Sequence, residues 1–416
     1  MDVDKTRVYF ERSKSSPIIN LSLDRYEHIF PDDPFLEVIP HVFYRLKLLS
    51  IKGTPENIQD ITAHLSPPAP HLKHLSIDGG CKFYPDRNPV NIDALFNRDL
   101  SSLRELHLQS IRTELPWRNM SNLISFTLGH TFLGEVSIKQ LIDFFKGAPR
   151  LRNVELTSAT PTSGAEGCRS VSLACLKRMA IYEGRPPSLL LDHLVIPVGA
   201  KLLLHGDPDG FLIGSYLPSS LGNLENLSNF TEILLHVKHY NSHIRFSGPN
   251  GKVSIFPQIA QVATTCWALR SLAEFDTSGT KRLEIVRGNL PPVDFYYRAL
   301  LPMKDLRTLT LSRCVNPYIF IGALHPDTSS SRALVCPELE ELVLRIDREP
   351  FCIDDVIIMA AARASRGAKL KSVRIASQNG FSRADVLELK KHVLHVECGP
   401  EVYVASDGSD SSDEDD

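Results

Sequence analysis

Two stretches decide the fold: LRELHLQS at Leu103–Ser110 and LRTLTLSR at Leu306–Arg313. In each, three leucines stand in the pattern L-x-x-L-x-L. The last two alternate with polar residues, which is the period-two signature of a half-buried strand. The pattern recurs outward from these stretches, with aliphatic substitutions. It reads LKLLSI from Leu46, LKHLSI from Leu72, LISFTL from Leu123, LRNVEL from Leu151, LKRMAI from Leu176, LDHLVI from Leu191, LEELVL from Leu339 and LKSVRI from Leu370. Weaker copies start at Ile18, Phe230, Thr280 and Val393. Most neighbouring copies lie 20 to 33 residues apart.

The segments between copies read as helices. In SIKQLIDFFKGAP, Ser137 is a predicted N-cap, Ile138, Leu141, Ile142 and Phe145 share one helical face, and Gly147 with Pro149 stops the helix. IDDVIIMAAARASRG repeats the plan, with Asp354 or Asp355 as the expected cap and Gly367 as the stop. A lone helix–strand unit cannot bury its own apolar face, whereas stacked units bury a continuous core. The expected fold is therefore an α/β leucine-rich-repeat solenoid, a horseshoe of about 12–14 irregular repeats. Parallel strands would line the concave face and helices the convex face. Leu106, Leu108, Leu309, Leu311, Leu342 and Leu344 are expected in the core. No phosphate-binding glycine loop follows the first strand, which argues against a doubly wound sheet. In such repeats Asn or Cys stands three residues after the last leucine. Cys314 fits and most copies do not, so varied turns are expected. The expected organisation is a leading segment at 1–17, a repeat domain at 18–404 and an acidic tail at 405–416. Residues 201–279 form its least regular part, and HIRFSGPNGKVSIF within them reads as an inserted β-hairpin.

Three phrases carry a family resemblance: RLKLLSIKGTPENIQDITAHLSPPAPHLKHLSIDGG (Arg45–Gly80), LSSLRELHLQSIRTELPWRNMSNLISFTLG (Leu100–Gly129) and LIDFFKGAPRLRNVELTSATP (Leu141–Pro161). They resemble the leucine-rich-repeat region of F-box proteins of mushroom-forming fungi. YFERSKSSPIINLSL (Tyr9–Leu23) is similar to the segment that leads into the repeats in that group. The resemblance implies the substrate-recognition part of an F-box-type SCF ubiquitin ligase receptor. The L-P-x-E-L-L-x-x-I-F pattern of an F-box is not found, so Skp1 is an expected partner only if an F-box lies upstream.

Charge and composition narrow the alternatives. The 416-residue chain carries 46 Lys+Arg against 49 Asp+Glu, for a net charge of −3. The last eleven residues, SDGSDSSDEDD, hold six acidic groups, and the remainder is +3. That balance gives no reason to expect direct nucleic-acid binding. The tail is expected to be disordered, with Ser411 and Ser412 spaced for acidophilic kinases. The longest apolar stretch, Val356–Ala362, is too short to span a membrane, and the N-terminus lacks an apolar signal region. Eight scattered cysteines without a CxxC pair read as free thiols, mostly packed as small apolar groups, in a cytoplasmic or nuclear protein that is not secreted.

No constellation points to catalysis, a cofactor or a metal. The motifs of nucleotide, serine-hydrolase and zinc-protease sites are missing from the sequence. SGPNGK (Ser247–Lys252) reads as a turn. His236, His239 and His243 read as ordinary polar histidines, Asp207 and Asp209 as a solvent turn, and Trp117 and Trp267 as isolated aromatics. What remains is the strand face opposite the leucines. In the first half it presents His74, Ser76, Asp78, Glu105, His107, Gln109, Asn153 and Glu155. In the second half it presents Arg282, Glu284, Thr308, Thr310, Glu341, Arg345 and Arg374. Mixed charge and hydrogen-bonding groups suit a protein substrate bound by a monomer better than a dry pocket. The alternative is a stand-alone repeat scaffold whose acidic tail binds basic nuclear proteins.

Overall fold

The computed structural model describes residues 8, 12, 20–25, 44–80, 95–98, 100–111, 120–130, 137–159, 164–183, 187–206, 212–227, 229–238, 242–257, 261–288, 292–325, 334–346, 351–377 and 380–399. Asp207, Asp209, Trp117, His239, the tail with Ser411 and Ser412, and most of the leading segment lie outside them. The chain is mixed α/β with long, mostly parallel strand sheets. It divides into two units, Met1–Phe211 with Ser215–Ser228 and Asn250–Ile255, and Leu212–Gly214 with Asn229–Pro249 and Phe256–Asp416.

In the first unit the strands are β1 (Asn20–Arg25), β2 (Leu48–Gly53), β3 (His74–Asp78), β4 (Glu105–Gln109), β5 (Ser125–Gly129), β6 (Asn153–Thr157), β7 (Val171–Ser172), β8 (Arg178–Glu183), β9 (Leu194–Val195) and β10 (Lys201–Gly206). The order β1-β2-β3-β4-β5-β6-β8-β10 is parallel throughout. In the second unit β11 (Glu232–His236) pairs antiparallel with β12 (His243–Gly248). On its other edge β11 starts a parallel run through β14 (Arg282–Val286), β15 (Thr308–Ser312), β16 (Glu341–Ile346), β17 (Ser372–Ser377) and β18 (His395–Gly399). The two alternating runs expected as a hairpin each form a strand, β12 and β13 (Gly251–Pro257), linked by Pro249 and Asn250.

The copies align without stagger. Leu49, Leu75, Leu106, Phe126, Val154, Met179 and Leu202 are register partners in one row, and Leu283, Leu309, Leu342 and Val373 form its counterpart in the second unit. All are buried, as are the six leucines expected in the core. Burial of each such side chain stabilises the fold by roughly 1.5–3 kcal/mol, so a one-residue slip that turned a row outward would be very costly.

Most copies begin with a turn that the sequence pattern omits. The first leucine donates its N–H to the carbonyl three residues earlier: Leu72 to Ala69, Leu103 to Leu100, Leu123 to Met120, Leu151 to Ala148 and Leu306 to Met303. Those earlier residues are all buried. The working motif is therefore apolar-x-x-L-x-x-L-x-L.

Where varied turns were expected, five exits share one backbone form while others, such as Thr54 after β2 with φ −70°, differ. Ser110, His130, Ser158, Arg287 and Arg313 each follow a strand with φ between +47° and +57°. Each donates its N–H to the last or next-to-last carbonyl of the neighbouring strand, at 2.6–2.8 Å. The side chains vary but the backbone repeats, because one more ladder bond offsets the left-handed strain. After β3 the approach is closer still, since a Cβ on Gly79 would lie 2.2 Å from the Ser110 carbonyl oxygen. The turn position expected to hold Asn or Cys is served in two ways. The Cys314 thiol donates to the Ile285 carbonyl at 3.3 Å, and where Ala159 stands instead, its N–H donates to buried Glu183 at 2.7 Å.

Helix Ile138–Gly147 forms as expected. Ser137 accepts from the Gln140 N–H, and the Gln140 side chain accepts from the Ser137 N–H. Its Phe144 and Phe145 rings pack on Phe126 of β5, at 4.4 and 6.5 Å between centroids. Helix Asp354–Ser365 departs from expectation. Its N-cap is Ile353, with no side-chain cap bond, and both aspartates lie in the first turn, where the helix dipole favours them. Gly367, the expected stop, has φ +80°.

Two further expectations are corrected. The copy at Leu191 lies outside the main sheet: β9 pairs with β7 as a separate two-stranded sheet. Pro197, two residues past β9, has no N–H to extend a ladder. KLLLHG at Lys201–Gly206, within the stretch read as irregular, takes the place beside β8. All seven described cysteines are free thiols, but only Cys314 and Cys336 are buried.

Candidate protein-binding surface

The strand face opposite the leucines is built of register rows. In the first unit His74, Glu105, Ser125, Asn153, Arg178 and Lys201 follow one another. So do Ser76, His107, Thr127, Glu155, Ala180 and Leu203, and Asp78, Gln109, Gly129, Thr157, Tyr182 and His205. In the second unit the rows are Glu232, Arg282, Thr308, Glu341, Ser372 and His395, then Leu234, Glu284, Thr310, Val343, Arg374 and Glu397. Arg345 is exposed beside Ser312. The fifteen residues singled out from sequence all lie on these faces, eight in the first unit and seven in the second.

Some touch each other. His74 Nδ1 lies 2.8 Å from Glu105 Oε2, and His107 Nε2 lies 3.2 Å from Gln109 Oε1. Asp78 serves its own turn, accepting the Gly80 N–H at 3.0 Å. Asn153 and Glu155 are exposed. In the second unit charge pairs cross the strands. Arg282 Nη1 meets Glu232 Oε1 at 3.2 Å, the Thr308 hydroxyl donates to Glu341 at 3.3 Å, and Arg374 bonds Glu341 and reaches Glu397 at 3.8 Å.

Sequence reasoning missed several members of the rows. Ser125 and Thr127 sit between the β4 and β6 residues, and Glu232 and Glu397 are the carboxylates that complete the second unit's pairs. The signal was present: LISFTL and the weaker copies at Phe230 and Val393 mark those strands. Tyr182 and His205 were also missed. Their rings stack at 4.3 Å, and burial lowers the His205 pKa from 6.5 to about 4, so the imidazole is neutral near pH 7.

Of the remaining candidates, His236, His243 and Trp267 lie among the described residues. His236 and His243 are register partners with ring centroids 5.4 Å apart, and His243 is buried against Phe256. Among the described residues no three His, Cys, Asp or Glu side chains are grouped to hold a metal ion, and no helix is long and apolar enough to cross a membrane. Compared with known proteins, the chain matches no protein-family model and no curated protein.

Proposed function

We propose that the chain is a leucine-rich-repeat protein-interaction module of non-catalytic role, whose outer strand faces receive a protein substrate. The observation that supports this most directly is the unstaggered register. It arranges His107, Thr127 and Glu155 in one unit, and Arg282, Thr308 and Glu341 in the other, as continuous rows of half-exposed or exposed polar side chains. Rigid strands hold such rows in place without a backbone ordering cost on binding. The resemblance to fungal F-box repeat regions supports reading this role as the substrate-recognition part of an SCF-type ubiquitin ligase receptor.

Photo-crosslinking tests the reading. A crosslinkable residue at Thr127 or Thr310 is expected to capture a partner protein from the native extract. The same residue at Lys146 or Glu388, on exposed helix positions, is expected to capture little. Capture confined to the helix positions would overturn the assignment of the binding face.

A further inference from the structure

The rim where the first unit's strands begin carries a row of cations. The second position of each copy precedes its strand, and backbone bonds tie these positions together. Lys73 N–H donates to Lys47 O, Arg104 to Lys73, Ile124 to Arg104, Arg152 to Ile124 and Lys177 to Arg152, all at 2.7–2.8 Å. Five cations thus stand on successive strand starts, interrupted once, by Ile124. Their cationic heads have no ion-pair partner among the described residues. Unscreened repulsion along such a row opposes folding, and a bound anion relieves it.

The row borders a cavity of about 320 Å³ lined by Lys47, His71, Lys73, Ser102, Arg104 and Asn122, with no carboxylate in the lining. Its polar wall is ordered: the Ser102 hydroxyl donates to the Pro70 carbonyl at 2.5 Å, the Asn122 amide to Ser101 at 2.8 Å, and Arg150 to Asn122 at 3.0 Å. Glu105, next in chain to Arg104, is engaged by His74.

The second unit provides the contrast. The corresponding positions are Lys281, Arg307, Glu340 and Lys371, tied by the same backbone bonds. Here the chain supplies its own anion, because Lys371 donates to Glu340 at 2.6 Å.

We propose that the first unit's rim and cleft bind an acidic segment of a partner protein, extended across the strand starts, with carboxylates facing Lys47, Lys73 and Arg104. Strands lie about 4.8 Å apart, so the six strand starts cover about 24 Å, the length of roughly seven extended residues. Singly charged carboxylates repeated along a chain match single cations repeated along a rim. No Phe, Tyr or Trp lines the cleft to stack a base, which sets it apart from single-stranded nucleic-acid grooves. The site is separate from the outer strand faces and does not depend on their role.

A fluorescein-labelled oligoglutamate peptide, titrated against the full chain by anisotropy, tests this. Binding is expected at low salt and should weaken as salt rises. Replacing Lys47, Lys73 and Arg104 together by Gln should weaken it by about tenfold or more, as expected for three exposed ion pairs. Ile124→Lys, which closes the gap in the row, should tighten it by about two- to threefold. This gain keeps the test decisive if the triple variant folds poorly. Arg307→Gln with Lys371→Gln, in the second unit, should change nothing. The proposal fails if that control loses as much affinity, or if neither the loss nor the gain appears. It also fails if a single-stranded oligonucleotide of equal charge competes as well as the peptide. If deleting Ser406–Asp416 raises affinity about tenfold, the cleft belongs to the chain's own C-terminus and the assignment to a partner is overturned.

Discussion

The two units use the same motif on the same strand spacing but treat charge in opposite ways. In the second unit carboxylates and cations alternate between neighbouring strands, so Arg282, Arg374 and Lys371 each meet an acid from the same unit. Burial reaches further there too. Arg363, on helix Asp354–Ser365, is fully buried and donates to the Val335 and Cys336 carbonyls at 2.8 and 2.7 Å. In the first unit the rim cations stay unpaired among the described residues, and the outer face holds a neutral, partly buried histidine instead. The packing fixes only the leucine positions. The positions between them are free to carry self-satisfied charge in one unit and available charge in the other.

The largest test of this comparison concerns what the units share. Leu106→Ala and Leu309→Ala should each cost about 2–5 kcal/mol, because both remove a fully packed side chain. Denaturant unfolding reads this. A cost below about 0.5 kcal/mol for either would mean that the two cores are not equivalent. Arg363→Ala comes next. It leaves the Val335 carbonyl without its donor, a loss that costs about 1–3 kcal/mol, partly offset by removal of a buried cation, while the Cys336 carbonyl keeps the Leu339 N–H. Arg363→Lys should not restore stability, since an ammonium cannot reproduce the two-pronged donation. A Lys variant as stable as the wild type would assign the effect to charge alone.

A smaller pair of effects separates the units by pH. The His205 pKa falls from 6.5 to about 4 on folding, so the unfolded chain takes up the proton first. The stabilisation is present above pH 6.5 and is lost as pH falls to about 4. Glu340 is held below its ordinary 4.5 by the hydrogen bond from Lys371, with its charge and that of Arg307 adding to the effect. Its contribution is present above pH 4.5 and is lost as pH falls through the lowered value. His205→Gln and Glu340→Gln should each flatten only its own window in a stability–pH profile, the exposed glutamate less. The smallest effect is at the turns. Arg313→Gly or Ser110→Gly relieves left-handed strain but loosens the unfolded chain, for a net stabilisation of about 0.5 kcal/mol in either unit.

Much of this was legible beforehand because leucines facing a core must recur in phase. The strands, the Ser137 cap and the fifteen outer-face residues all follow from period and capping chemistry. The turn ahead of most copies was legible in principle, since Ala69, Leu100, Met120 and Met303 stand in plain sequence three residues before a leucine. Arg363 shows a different limit. It reads as the charged flank of an apolar run, yet it follows Val356, Met359 and Ala360 on the buried face of one helix. Only the position of the Val335–Cys336 carbonyls makes its burial tolerable.

The sequence by itself determined the strand positions, their inward faces and the polar character of the opposite side, because side-chain alternation and apolar burial are local rules. Tertiary structure alone decided which copy enters the sheet, as when Lys201–Gly206 displaces the copy at Leu191. It alone decided that five unlike turns share one left-handed backbone, and which charges find partners. Those outcomes depend on which strand lies alongside, and a hydrogen bond or ion pair between residues some thirty positions apart leaves no mark on the local pattern of either.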